Sequence, residues 1–119
     1  MIGQAKAQMS GVAIPSNYRV DLNPGTLNTS SVNGASTSAV VFSTVIDGVG
    51  PFTYQWIIDN DDITINSPTS ENTDFRASEF NSIIVGIAEL TVTDTGNGNV
   101  ETSKTINILF NFGSVLGPI

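Results

Sequence analysis

Cysteine and histidine are both absent from this 119-residue chain, and cations are nearly so. Four lysines and arginines stand against eleven aspartates and glutamates, a formal charge of −7 at pH 7. Each absence closes a class of chemistry. Without cysteine there is no disulfide, no thiolate nucleophile and no sulfur-ligated metal. Without histidine there is no imidazole base, no Ser-His-Asp relay and no His-ligated zinc. Four cations cannot neutralise a run of phosphates, so nucleic acid is not expected as a partner. Long apolar runs are missing too. Nothing approaches the roughly 18 continuous apolar residues of a membrane helix, so membrane insertion is not expected. The N-terminal stretch is interrupted by Gln4, Gln8 and Ser10, which leaves no apolar core for a secretory signal. With Met1 as the natural start, the expectation is a protein made and kept in the cytoplasm.

What is present is polar but uncharged. Only 13% of residues carry charge, while serine, threonine and asparagine number thirteen, thirteen and twelve. Hydroxyls and short amides suit turns and the solvent faces of strands, and they disfavour helices. From Tyr18 onward the apolar residues alternate, as strands require. Tyr18, Val20 and Leu22 form one inward row before the Asn23-Pro24-Gly25 turn, and a short edge strand is expected around Leu27–Val32. Val40, Phe42, Thr44 and Ile46 read as the next row, followed by Phe52, Tyr54, Trp56 and Ile58. Phe75 and Phe80 are expected as core anchors in a turn-rich stretch, and Ile63 and Ile65 as a short strand. Ala88, Leu90 and Val92 lead into a hairpin at Asp94–Asn99, and Ile106, Ile108, Phe110 and Phe112 close the pattern. The reading is all-β: an antiparallel sandwich of about seven strands over residues 18–112. An extended arm (1–17) precedes it and a short apolar tail (113–119) follows. Core positions are Phe42, Phe52, Tyr54, Trp56, Leu90, Val92, Ile108 and Phe110.

Two stretches carry a family resemblance. Gly48-Val49-Gly50-Pro51-Phe52-Thr53-Tyr54-Gln55-Trp56 resembles the B–C turn and C strand of PKD-like and bacterial immunoglobulin-like domains. Leu90-Thr91-Val92-Thr93-Asp94-Thr95-Gly96 is similar to their F strand and F–G turn. The resemblance implies that Trp56 and Val92 face each other across two sheets. It also implies that Thr44 and Leu90 fall near the positions of the disulfide in antibody domains. The chain departs from common PKD repeats after the tryptophan, where Ile57-Ile58-Asp59-Asn60-Asp61-Asp62 replaces an Asp-Phe-Gly-Asp-Gly motif.

The fold resemblance says little about function, since such sandwiches serve as spacers and binding modules. Asp59, Asp61 and Asp62 cluster as candidate calcium ligands, although the spacing lacks the glycine and distal glutamate of an EF-hand. The Phe52, Tyr54 and Trp56 series has an alternative role as a sugar-stacking platform. Neither a catalytic constellation nor a cofactor site is expected. Ile2, Val12 and Ile14 in the arm, with Val115 and Leu116 in the tail, are candidates for anchoring on a neighbour, by burial or strand addition. A free-standing sandwich of this kind resembles the accessory structural proteins of tailed bacteriophages. That implies a non-enzymatic virion protein, assembled in the host cytoplasm, whose partners are other capsid or tail proteins. A capsid decoration or minor head protein with an outward-projecting sandwich is expected first, and a tail ornament second. Weak engagement of host-surface glycans is a secondary expectation. The rival is an adhesion or carbohydrate-binding module of a larger secreted protein.

Overall fold

The computed structural model describes residues 17–113. Nine strands follow one another: β1 (Arg19–Asn23), β2 (Thr26–Ser31), β3 (Gly34–Thr37), β4 (Phe42–Ile46), β5 (Phe52–Ile58), β6 (Thr64–Ile65), β7 (Phe75–Glu79), β8 (Ile83–Asp94) and β9 (Val100–Phe112). One layer is a four-stranded sheet in the order β2-β9-β8-β5. Its strands are antiparallel, except that β2 runs parallel to β9. The other layer holds the β1-β4 pair and the β3-β7-β6 sheet, tied together by an antiparallel bridge between Val41 and Thr73. Both layers send side chains into one core, with Val20, Val41, Phe75 and Ala77 from one side and Leu27, Trp56, Leu90, Val92, Ile108 and Phe110 from the other. The architecture is an immunoglobulin-like β-sandwich.

Trp56 is the centre of that core. Its ring meets Phe75 edge-on at 5.9 Å between centroids, and its indole N–H donates to the Ser70 carbonyl at 2.8 Å. The aromatic body is therefore dry while its one polar atom is satisfied. The partner across the sandwich is Phe75, not Val92. Val92 lies in the same sheet as Trp56, opposite Tyr54, because β5 and β8 are hydrogen-bonded neighbours.

Two inward assignments are corrected. Phe42 is exposed, together with Val40 and Thr44, while Val41 and Ser43 are buried. Alternation makes a one-residue slip reverse a whole strand. Here the loop before β7 sets the register: Ser43 donates its hydroxyl to the Glu71 carbonyl (2.6 Å), and its amide donates to Asn72 Oδ1 (3.0 Å). A serine whose groups are all paired can be buried, which leaves Phe42 on the solvent side. Thr44 accordingly does not occupy the inward position implied for it. Phe80 is exposed as well. It stands five residues after Phe75, an odd spacing that alternation places on the opposite face. Phe52 and Tyr54 are half-buried, at the edge of the core rather than within it.

The two family-like stretches meet at one end of the sandwich. Asp94 is buried, and its carboxylate accepts hydrogen bonds from the amides of Val49 (2.8 Å) and Gly50 (2.9 Å). Thr95 returns two bonds to the Pro51 carbonyl, from its amide (3.0 Å) and its hydroxyl (2.8 Å). Gly96 lies so close to the Gly50 carbonyl that any side chain would collide with it. The aspartate and glycine of the second motif therefore clasp the turn of the first, and their role is structural.

Candidate interaction surface

Strand β8 is central in its sheet, and its residues divide cleanly between two faces. Ile84, Ala88, Leu90 and Val92 point into the core. Ile83, Val85 and Ile87 point outward and remain 60%, 57% and 49% exposed. Register extends this row sideways: Leu109 of β9 lies opposite Val85, and Ile57 of β5, 54% exposed, lies diagonally beside Ile87. The result is an aliphatic stripe on the outside of the four-stranded sheet. It presents on the order of a few hundred Å² of apolar surface, the size of the largest patch on a typical monomer, which often serves a function. A shallow hollow of about 540 Å³ runs along it, floored by Val85, Ile87 and Leu109 and walled by Asn28 and Asn107.

The stripe is held by its neighbours. Asp59 grips Ile87 twice: its amide donates to the Ile87 carbonyl (3.2 Å), and its Oδ1 accepts from the Ile87 amide (2.8 Å). Asn60 donates its side-chain amide to the Val85 carbonyl (2.9 Å), while its Oδ1 receives the Asp62 amide (2.8 Å). Gly86, between the two exposed residues, faces inward. A Cβ there would stand 2.9 Å from Ile63 Cδ1 and 3.3 Å from Asp59 Oδ1. Beyond the stripe the same face turns polar. Thr91 and Ser103 share a hydrogen bond at 3.0 Å, and Thr53, Gln55, Thr93 and Thr105 surround them.

The sequence-derived candidates distribute unevenly over this geometry. Trp56, Leu90, Val92, Ile108 and Phe110 are buried, so Trp56 offers no exposed ring for a sugar. Among the described residues, no three acidic side chains gather where a metal could be held. Asp59 braces the stripe instead, and Asp61 and Asp62 are exposed in the loop that follows. Ile2, Val12, Ile14, Val115 and Leu116 lie outside the described residues. Sequence reasoning missed the stripe, although Ile83-Ile84-Val85-Gly86-Ile87 was visible as an apolar run too dense to fill one face of one strand.

Two tyrosines are perturbed. Tyr18 donates to the carbonyls of Val100 (3.1 Å) and Val92 (3.2 Å) in a shared bond. Burial raises its pKa above the ordinary 10.0, and the negative charges of Asp94, Tyr54 and Glu101 add to the effect. Burial, then Glu71, raises Tyr54 in the same sense. Neither ring joins a cluster of reactive groups; Tyr18 ties the start of β1 to the hairpin of β8 and β9.

Neither a family model nor a curated protein matches the chain. Solved structures do. The ASH/PapD-like domain 7 of human CEP192 superposes with a TM-score of 0.61 at 4% identity, over 94% of this chain and 95% of that one. A nucleoside hydrolase-related hypothetical protein from Saccharophagus degradans, associated with carbohydrate metabolism, aligns with a TM-score of 0.53 at 15% identity. That alignment covers 81% of this chain but 26% of the other. The titin M3 domain is a third, more distant structure, at 14% identity over 80% of this chain and 99% of that one, with a TM-score of 0.41. At such identities the likeness to the first two establishes the fold alone.

Proposed function

We propose that this chain is a non-enzymatic attachment module that seats its sandwich on another protein through the outer face of the four-stranded sheet. The larger assembly in this reading is a tailed-phage particle, with the chain as a head decoration or minor head protein. The observation that carries docking is the Ile57–Ile83–Val85–Ile87 stripe, an apolar surface outside the core that the described residues form. Covering each half-exposed aliphatic side chain contributes on the order of 1 kcal/mol to binding. The particle is suggested by the resemblance of Gly48–Trp56 and Leu90–Gly96 to PKD-like and bacterial immunoglobulin-like domains, since tailed phages carry sandwiches of that kind. Residues 1–17 and 113–119 act as tethers alongside the stripe.

Mixing the purified chain with undecorated phage heads and imaging them tests this. Regular added density on the heads is expected, weakened by deleting residues 1–17. Density on tails instead of heads would move the protein to a tail ornament, and no binding to either would end the virion reading. One observation favours an alternative: the Saccharophagus structure carries this fold as 26% of a longer chain. A glycan array with reproducible hits, and no particle binding, would establish the protein as a carbohydrate-binding module.

A further inference from the structure

We infer that the stripe receives a different protein, one whose apolar ridge is flanked by lysine or arginine, and not a second copy of this chain. This rests on the docking role proposed above and adds the chemistry of the partner. The outward residues of β5, β8 and β9 include Glu89 and Glu101, and Asp59 closes the stripe beside Ile87. Glu89 is the cross-strand partner of Ile57 and so stands at the edge of the apolar surface.

None of the described cations shares that face. Arg19 lies on β1 and Arg76 on β7, both in the opposite layer. Lys104 pairs with the inward-facing Leu90, which gives it the parity of the core side of β9. The face is thus apolar in the centre, hydroxyl-rich at one end and charged with a single sign. Two copies packed stripe to stripe would bring Asp59 and Glu89 of each against an equally acidic surface. No cation of either described face would compensate, in a chain already at −7. A partner with basic residues around an apolar ridge meets the same surface with opposite charge. It gains rate and orientation from electrostatics and affinity from the buried centre.

Two synthetic β-hairpin peptides test this, one alternating Val/Ile with Lys and the other alternating Val/Ile with Glu. Each is titrated into the full-length, isotopically labelled chain. The Lys peptide is expected to shift the amides of Ile83, Val85, Ile87 and Leu109, with affinity falling several-fold as salt is raised. The Glu peptide is expected to leave them in place. Val85→Lys should abolish the shifts, and the milder Glu89→Gln, which keeps the side-chain shape, should weaken them. Equal binding of the two peptides would overturn the inference. So would Lys-peptide shifts mapping elsewhere, no shifts at all, or sedimentation showing a dimer that Val85→Lys returns to monomer. Failure here with intact particle binding would leave the attachment role standing on another face. Peptide binding with no particle binding would remove the phage and keep the surface.

Discussion

Along its first half β8 carries aliphatic residues on both faces, and the two faces do opposite things. Ile84, Ala88, Leu90 and Val92 are dry and packed against the second layer, while Ile83, Val85 and Ile87 look into solvent. Side-chain chemistry does not separate them; parity along one strand does. The inner row is explained by the fold. The outer row adds nothing to it, and each exposed aliphatic group there is a solvation cost with no internal return. That difference is what makes the outer face informative about partners and the inner face informative about stability.

Truncating the inner side should hurt most. Trp56→Ala removes the ring packed on Phe75 and strands the Ser70 carbonyl, with an expected loss of about 3–5 kcal/mol in a denaturant titration. A melt close to that of the unaltered protein would show that the core is organised around other residues. Next is the clasp beneath the same strand. Asp94→Ala leaves the Val49 and Gly50 amides without their acceptor and should destabilise by about 2–3 kcal/mol. Asp94→Asn, which keeps one acceptor oxygen, should lose less.

Tyr18→Phe comes third, at about 1 kcal/mol near neutral pH for a shared hydrogen bond. Its sign with pH is definite. The folded-state pKa lies above the unfolded value of 10.0, so folding favours the protonated phenol. The stability it contributes is complete below pH 10 and is lost as pH rises through the folded pKa. Melts recorded from neutral pH into that range should fall less steeply for the phenylalanine variant, with Tyr54 supplying part of the slope that remains. The smallest change is expected on the outer face. Val85→Lys should move unfolding stability by less than about 1 kcal/mol, since exposed strand positions tolerate substitution. A large loss there would mean that the outer row supports the fold after all, and the contrast between the faces would collapse.

Much of the sandwich was readable from alternation. The rows through Trp56, Leu90–Val92 and Ile106–Phe112 contain bulky apolar residues at every second position, with polar residues between them except at Ile57 and Leu109, which belong to the stripe. The pattern failed where both parities were apolar. Across Val40–Ile46 either row could face inward, and the choice fell to Ser43, whose burial depends on Glu71 and Asn72 far along the chain. Ile83–Ile87 posed the same ambiguity from the other direction. An unbroken apolar run is equally consistent with burial on two sides, and among the described residues only the absence of a third layer leaves its outer residues exposed. The Asp94 clasp was visible as two motifs, but no local rule indicated that one grips the other.

The placement of the stripe on β8 has a mechanical consequence. Along Ile83–Ile87 this strand is laddered to β9 on one side only, since its pairing with β5 stops at Ala88, and bonds from Asp59 and Asn60 brace the other side. The surface offered by Ile83, Val85 and Ile87 is therefore anchored by β9 and by the loop after β5 together. A partner would meet a backbone already held in hydrogen bonds, which leaves less conformational entropy to remove on binding. Pulling on that partner would load the β8–β9 ladder and the Asp59 and Asn60 braces together. Grip on such a partner would then depend on the loop after β5 as much as on the sheet.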